Sequence, residues 1–173
     1  MKKHLFNIFT AALLLAGCPL SFADSTCCTA AAATSQANGT VSAALSQISF
    51  VSGKANTNAD YYIYLYSASW CTPCRKVMPD IVKEYAAIKN SGKVELILVG
   101  FDANEQGVKA YVDKYKAAFP AVWCNTAGVP ALPGNKPTRG IPGAVIVDKN
   151  GNTIFSGYGG AVLDWKKYTI DRK

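Results

Sequence analysis

From Tyr61 to Tyr66 the chain reads Tyr-Tyr-Ile-Tyr-Leu-Tyr, apolar at odd and even positions alike, which predicts a strand buried on both faces. That strand delivers the chain into Trp70-Cys71-Thr72-Pro73-Cys74. From Arg75 onward, Val77, Met78, Ile81, Val82, Tyr85 and Ile88 recur at helical spacing, and Asn90-Ser91-Gly92 closes the run. Val94 to Phe101 predicts a second buried strand, and residues 105–118 a second helix with Val108, Tyr111, Val112 and Tyr115 on one face. Ala144–Val147, the turn Asp148–Gly151 and Thr153–Phe155 then predict a hairpin, with Asn-Gly supplying positive φ angles for a tight turn. Residues 161–170 predict a short closing helix. Residues 124–140 carry Pro130, Pro133, Pro137 and three glycines, the composition of an irregular loop. The order β-α-β-α followed by a hairpin gives an α/β fold whose central mixed β-sheet is flanked by helices. There are no internal repeats.

The N-terminal pattern is of another kind. Met1-Lys2-Lys3-His4 precedes the apolar run Leu5–Ala16, which has the charged and hydrophobic regions of a bacterial export signal over residues 1–23. Two processing sites compete. Ser21-Phe22-Ala23 has the small-x-small form that places cleavage after Ala23, while Leu15-Ala16-Gly17-Cys18 resembles a lipobox, in which Cys18 takes a lipid and becomes the first mature residue. Both give a periplasmic or otherwise extracytoplasmic domain, and a lipidated Cys18 would be its sole tie to the membrane. Residues 24–46 are small and polar and read as a flexible tether, leaving 47–173 as the folded domain.

Composition narrows the function classes. The chain has 173 residues, half of them hydrophobic, and no apolar stretch after the leader is long enough to span a bilayer. The formal charge is +7; losing Lys2 and Lys3 with the leader leaves 16 bases against 11 acids, a net of +5. The bases are scattered rather than clustered, so a nucleic-acid partner is not expected.

The cysteine pattern changes the picture most. Beyond the leader lie Cys27, Cys28, Cys71, Cys74 and Cys124, an odd set that a purely structural disulfide framework does not account for. A Cys-x-x-Cys between a buried strand and a helix puts the first sulfur at the helix N-terminus, where unpaired N–H groups stabilise a thiolate. Cys71 is therefore the candidate nucleophile and Cys74, one turn along, the candidate resolving thiol; Pro73 is tolerated in a first turn. The alternatives are a stapling disulfide or half of a zinc site. Zinc is disfavoured because the only histidine, His4, falls in the leader and no second Cys-x-x-Cys exists.

Ser69-Trp70-Cys71-Thr72-Pro73-Cys74-Arg75 resembles the active site of the thioredoxin superfamily. Together with VGFDANEQGVKAYV and RGIPGAVIVDKNGN, it is most similar to exported TlpA/ResA-type reductases and the tryparedoxin/nucleoredoxin branch. The resemblance implies a thioredoxin-like fold and a thiol–disulfide oxidoreductase with a redox-active Cys71/Cys74 pair and no bound cofactor. Its partners would be protein disulfide substrates and a membrane electron donor for re-reduction. It also implies that Gly140-Ile141-Pro142 is a cis-proline loop facing the cysteines, so that Trp70, Thr72, Pro73, Ile141 and Pro142 contact substrate. Two rivals remain: the same chemistry run as an oxidase or isomerase, and a non-catalytic binding module on this fold.

Three departures qualify the resemblance. The buried aspartate expected six residues before the first cysteine falls on Leu65, and its lysine neighbour near Leu98. A proton-handling carboxylate would have to be Glu84 or Glu95, though each reads more simply as a solvated surface acid. The loop 124–140 replaces a helix before the cis-proline. Cys124 reads as a buried thiol acting as a small hydrophobe, or as a relay or disulfide partner for Cys27 or Cys28.

Overall fold

The computed structural model describes residues 40–172. Five strands form one sheet: β1 (Tyr61–Ser67), β2 (Val94–Gly100), β3 (Ala121–Trp123), β4 (Gly143–Asp148) and β5 (Thr153–Tyr158), in the order β3-β2-β1-β4-β5. β1 pairs parallel with β2 and antiparallel with β4, while β2–β3 is parallel and β4–β5 antiparallel. The sheet is mixed, as the element order requires. The strand apolar on both faces is at its centre, where every side chain from Tyr62 to Ser67 is buried.

Alternation along β1 divides the core in two. Ile63 and Leu65 pack with Met78, Ile81, Tyr85 and Ile88 of α2 (Thr72–Asn90) and Val108, Tyr111 and Val112 of α3 (Glu105–Tyr115). Tyr62, Tyr64 and Tyr66 point the other way, onto Val129, Leu132 and residues 41–59. Among the described residues no long helix covers that second face; much of its cover is the proline-rich 124–140 segment, which contains a single 3-10 turn, Val129–Ala131. The tyrosine hydroxyls fasten this irregular layer. Tyr62 donates to the Thr57 carbonyl, Tyr64 to Pro133 O at 3.1 Å and Tyr66 to Asn135 Oδ1 at 2.6 Å. Burial pushes all three phenols up, so they remain protonated donors at neutral pH.

The secondary-structure elements differ from the sequence expectations in four places. Residues 41–45, inside the segment expected to be tether, form α1 (Val41–Leu45), capped by Thr40 and carrying Val41 and Leu45 into the core beside Tyr62 and Tyr64. One and a half turns is too short for helical periodicity to register. α3 stops at Tyr115 rather than residue 118 because Lys116 takes a left-handed conformation, φ 51°. The closing segment is a 3-10 stretch, Gly159–Asp164, leading into α4 (Trp165–Tyr168). In the hairpin only Gly151 has positive φ; the turn is a four-residue loop organised by Asp148, whose carboxylate accepts from Asn150 N, Asn152 N and Asn152 Nδ2.

Pro79 lies within α2 and cannot donate to the Arg75 carbonyl four residues back. The Tyr115 hydroxyl takes its place, donating to Arg75 O at 3.4 Å and tying α3 to the first turns of α2. The export signal, Cys18, Cys27, Cys28 and the tether up to residue 39 lie outside the described residues.

Because Leu45 is fully buried beneath the tyrosine face, Leu45→Ala is expected to lower the unfolding free energy by about 2–5 kcal/mol with little change in denaturant slope. Urea denaturation checks it; a change under 0.5 kcal/mol, the scale of a surface substitution, would mean that residues 41–45 are tether after all.

Candidate active site

β1 ends at Ser67, and four residues later Cys71 serves as the N-cap of α2 in extended geometry, φ −78° and ψ 109°. Its Sγ accepts a hydrogen bond from Cys74 N at 3.2 Å, which is the capping interaction normally made by a serine or aspartate oxygen. Thr72 and Pro73 occupy the first helical positions, where proline costs no hydrogen bond. Cys71 and Cys74 are joined in a disulfide, with Cα atoms 5.2 Å apart. Cys74 is completely buried, whereas Cys71 retains 6% exposure. Of the two cysteines, only the first keeps any exposed surface. Once the disulfide is reduced, the same N–H and the helix N-terminus stabilise a Cys71 thiolate.

The segment leading to Cys71 is held from below. Phe101 and Asp102 follow β2, and Asp102 Oδ1 accepts from both Ser69 N, at 3.1 Å, and Ser69 Oγ. Trp123 Nε1 donates to the Asp102 carbonyl at 2.8 Å, and Trp70 Nε1 to the Phe101 carbonyl at 3.2 Å. Arg75 reaches back from α2 to Ser69 O and Thr72 Oγ1. The Asp102 carboxylate is 3% exposed, and its Oδ2 has no hydrogen-bond partner. Asp102 was missed in the sequence because nothing local marks it; only the register of β2 against β1 brings it under Ser69.

The Ile141–Pro142 bond is cis, and the Ile141 carbonyl oxygen lies 3.6 Å from Cys71 Sγ. Ile141 packs against Ala68, Cys71 and Cys74. Gly159 N donates to the Pro142 carbonyl, tying the loop to the end of the hairpin. Trp70, Thr72, Pro73, Ile141 and Pro142 thus surround the disulfide, and Trp70 is 63% exposed, so its ring is not core packing. Two grooves flank the Ile141 ridge. One, of about 600 Å³, runs past Pro73, Pro142 and Tyr158; the other, of about 280 Å³, past Trp70, Tyr66 and Phe101.

Leu65 and Leu98 are register partners, both fully buried, so an apolar pair occupies the place of a carboxylate and lysine. Glu95 is not a solvated surface acid but a buried one, Glu84 is half-buried, and neither faces the cysteines. Glu84 Oε1 accepts from Trp165 Nε1 at 2.8 Å, ten residues along α2 from Cys74, roughly 15 Å at the helical rise. Glu95 is buried at the opposite end of the sheet, opposite Tyr62, where it accepts from Asn56 N, Tyr85 Oη and Leu96 N. Burial raises its carboxyl above the ordinary glutamate range, and those hydrogen bonds together with the Lys89 charge offset only part of the rise. Cys124 is buried after β3 among Tyr66, Val99 and Val122. Among the described residues, no group of three or more His, Cys, Asp or Glu side chains is placed to hold a metal.

A profile of thioredoxin-like proteins matches residues 58–153, more than half of the chain, including both cysteines, Asp102 and the cis-proline. The chain belongs to this family. This thioredoxin-like protein is 34% identical over 106 residues to nucleoredoxin of Xenopus laevis, covering 60% of this chain and 25% of the relative. It is 30% identical over 92 residues to the thiol-disulfide oxidoreductase ResA of Halalkalibacterium halodurans, covering 53% of this chain and 50% of the relative. It therefore spans half or less of these relatives' length. StoA of Bacillus subtilis superposes with a TM-score of 0.53 at 25% identity, over 65% of this chain and 84% of StoA. The thioredoxin-like protein thus has the Cys-x-x-Cys pair and the mixed five-stranded sheet of a thiol–disulfide oxidoreductase.

Asp102→Ala, which leaves both Ser69 donors unpartnered, is expected to lower stability by about 1–3 kcal/mol, and Asp102→Asn, which keeps one acceptor oxygen, by less. Urea denaturation of both variants checks the order. A raised folded-state pKa at Glu95 contributes stability that is complete below the unfolded value and lost as pH rises through the folded one. The stability of the wild type relative to Glu95→Gln is therefore expected to fall from pH about 4 upward; a flat difference would contradict the shift.

Proposed function

We propose that the protein reduces disulfide bonds in protein substrates outside the cytoplasm. The observation that carries this reading is Cys71 at the N-cap of α2, solvent-reachable and already accepting an N–H hydrogen bond, with its partner Cys74 sealed beneath it. In the reaction the Cys71 thiolate attacks one sulfur of the substrate disulfide, and the other sulfur leaves as a thiolate and takes a proton. Cys74 then loses its proton and attacks Cys71 Sγ, expelling the second substrate thiol. The substrate gains two electrons and two protons, and the protein is left in the disulfide state seen here. A membrane electron donor restores the dithiol.

Trp70, Thr72, Pro73, Ile141 and Pro142 are the substrate contacts in this reading. The cis-proline ridge exposes backbone beside Cys71, and an extended substrate segment lies along it. The export reading of residues 1–23 supports an extracytoplasmic site of action, with the domain over 47–173 extended at its N-terminal edge by α1 and either released after Ala23 or tied to the membrane through Cys18. Among the described residues, no helix is long and apolar enough to cross a membrane.

Cys74→Ser is expected to accumulate a mixed disulfide with a protein substrate such as insulin, visible on a non-reducing gel, while Cys71→Ser forms none and turns nothing over. Equilibration of the wild type with dithiothreitol or glutathione buffers is expected to give a potential of about −250 mV or below; about −120 to −180 mV would instead favour an oxidase or isomerase. A pair that never cycles would leave the binding module.

A further inference from the structure

Both grooves beside the cysteine pair are lined by the same four residues, Thr138, Arg139, Gly140 and Ile141. Arg139 is the one charged residue in either lining, and no carboxylate is present. It is exposed, and it has no ion-pair partner among the described residues, whose three ion pairs are Lys83–Asp80, Lys109–Asp113 and Lys149–Asp60. The other basic side chain next to the cysteines, Arg75, is spent on Ser69 and Thr72.

The backbone under Arg139 is built to stay in place. Thr138 Oγ1 donates to Gly140 O at 2.7 Å, bracketing Arg139, and packs so closely on Gly143 at the start of β4 that a Cβ there would collide with it. Upstream, Tyr64 and Tyr66 of the central strand hold Pro133 and Asn135, and Asn135 Nδ2 donates in turn to Val129 O. A guanidinium with no ion-pair partner can meet an incoming carboxylate without first giving up another charge contact, and its planar fork suits a bidentate pair. The flanking surface is apolar: Pro73 and Tyr158 on one side, Trp70 and Phe101 on the other.

Resting on the reductase reading above, we infer that Arg139 selects substrates: the preferred partner is an extended protein segment whose cysteine is flanked by acidic residues and whose remaining contacts are apolar or aromatic. In an extended segment, residues two positions from the cysteine lie roughly 6.5 Å to either side and on the same face as its sulfur. They are the positions that reach the two grooves while the cysteine meets Cys71. Their charge is read by Arg139 without competition from any acid in the lining.

The test uses the reduced, desalted full chain and three capped peptides. Each has a central cysteine in disulfide linkage to 2-mercaptoethanol, with Glu, Gln or Lys two positions away on both sides. One turnover oxidises the Cys71/Cys74 dithiol and releases the peptide thiol and 2-mercaptoethanol, which chromatography counts. At low salt the Glu peptide is expected to react about fivefold faster than the Lys peptide, the scale of a partly exposed ion pair, with Gln between. Arg139→Gln should remove the difference, and Arg139→Glu should reverse the order; high salt should flatten it in the wild type. Equal rates for all three peptides, or a Glu preference that survives in Arg139→Gln, overturn the inference while leaving the reductase reading intact. Failure of the wild type to reduce any of them overturns both.

Discussion

The arrangement depends on one sulfur doing the work of a helix cap. α2 has to begin somewhere, and the first N–H groups of any helix need partners. Here Cys74 N finds its partner in Cys71 Sγ, so the start of the helix and the first sulfur of the redox pair are the same place. A serine would cap as well and carry no redox chemistry; a cysteine elsewhere would have the chemistry without the positive end of the helix. The rest of the molecule serves to keep that junction still. β1, buried on both faces, fixes where the chain emerges, Asp102 holds Ser69, Arg75 ties the first turn back to the same residue, and the Tyr115 hydroxyl supports the carbonyl that Pro79 leaves unserved.

The second face of the sheet shows how an irregular segment can be held with little secondary structure of its own. Three tyrosines alternate along β1 with Ile63 and Leu65, which puts all three hydroxyls on one side. Each ring fills the core while its hydroxyl reaches out to the covering layer, and Tyr64 and Tyr66 reach the 124–140 loop itself. The loop that carries Arg139 and leads into the cis-proline is thus anchored to the same strand that delivers Cys71. Cys71 and the Ile141–Pro142 loop are thus both tied to β1, and the Ile141 carbonyl oxygen lies 3.6 Å from the Cys71 sulfur.

Periodicity and turn chemistry make the central strand, both main helices, the hairpin and the Cys-x-x-Cys legible in the sequence, because each depends on near neighbours along the chain. What escaped depends on register or on pieces too short to repeat. Val41 and Leu45 look like tether residues because five residues carry no period. Glu95 looks like a surface acid because its partners, Asn56 and Tyr85, come from separate parts of the chain. The strand pattern and Asn-Gly point to a hairpin, but its turn is set by the Asp148 side chain rather than by paired positive φ angles at Asn-Gly. Asp102 is the instructive omission: it lies inside the stretch VGFDANEQGVKAYV that carried part of the family resemblance, yet its contact with Ser69 follows only from β1–β2 pairing.

The two carboxylates buried among the described residues mark opposite ends of the sheet and are treated in opposite ways. Glu95, far from the cysteines, has three donors for its two oxygens and acts as a structural junction between α2, β2 and the chain before β1. Asp102, beneath the cysteine segment, satisfies one oxygen twice and leaves the other bare. Leaving a buried oxygen unpaired costs stability, and such costs tend to be tolerated where they serve a site. With Leu65 and Leu98 closing the usual place for a charged pair, Asp102 is the buried acid that remains at the active-site end of the sheet among the described residues. Its fixed contact is Ser69, two residues before Cys71, so whatever it contributes to the cysteine pair passes through the position of that segment.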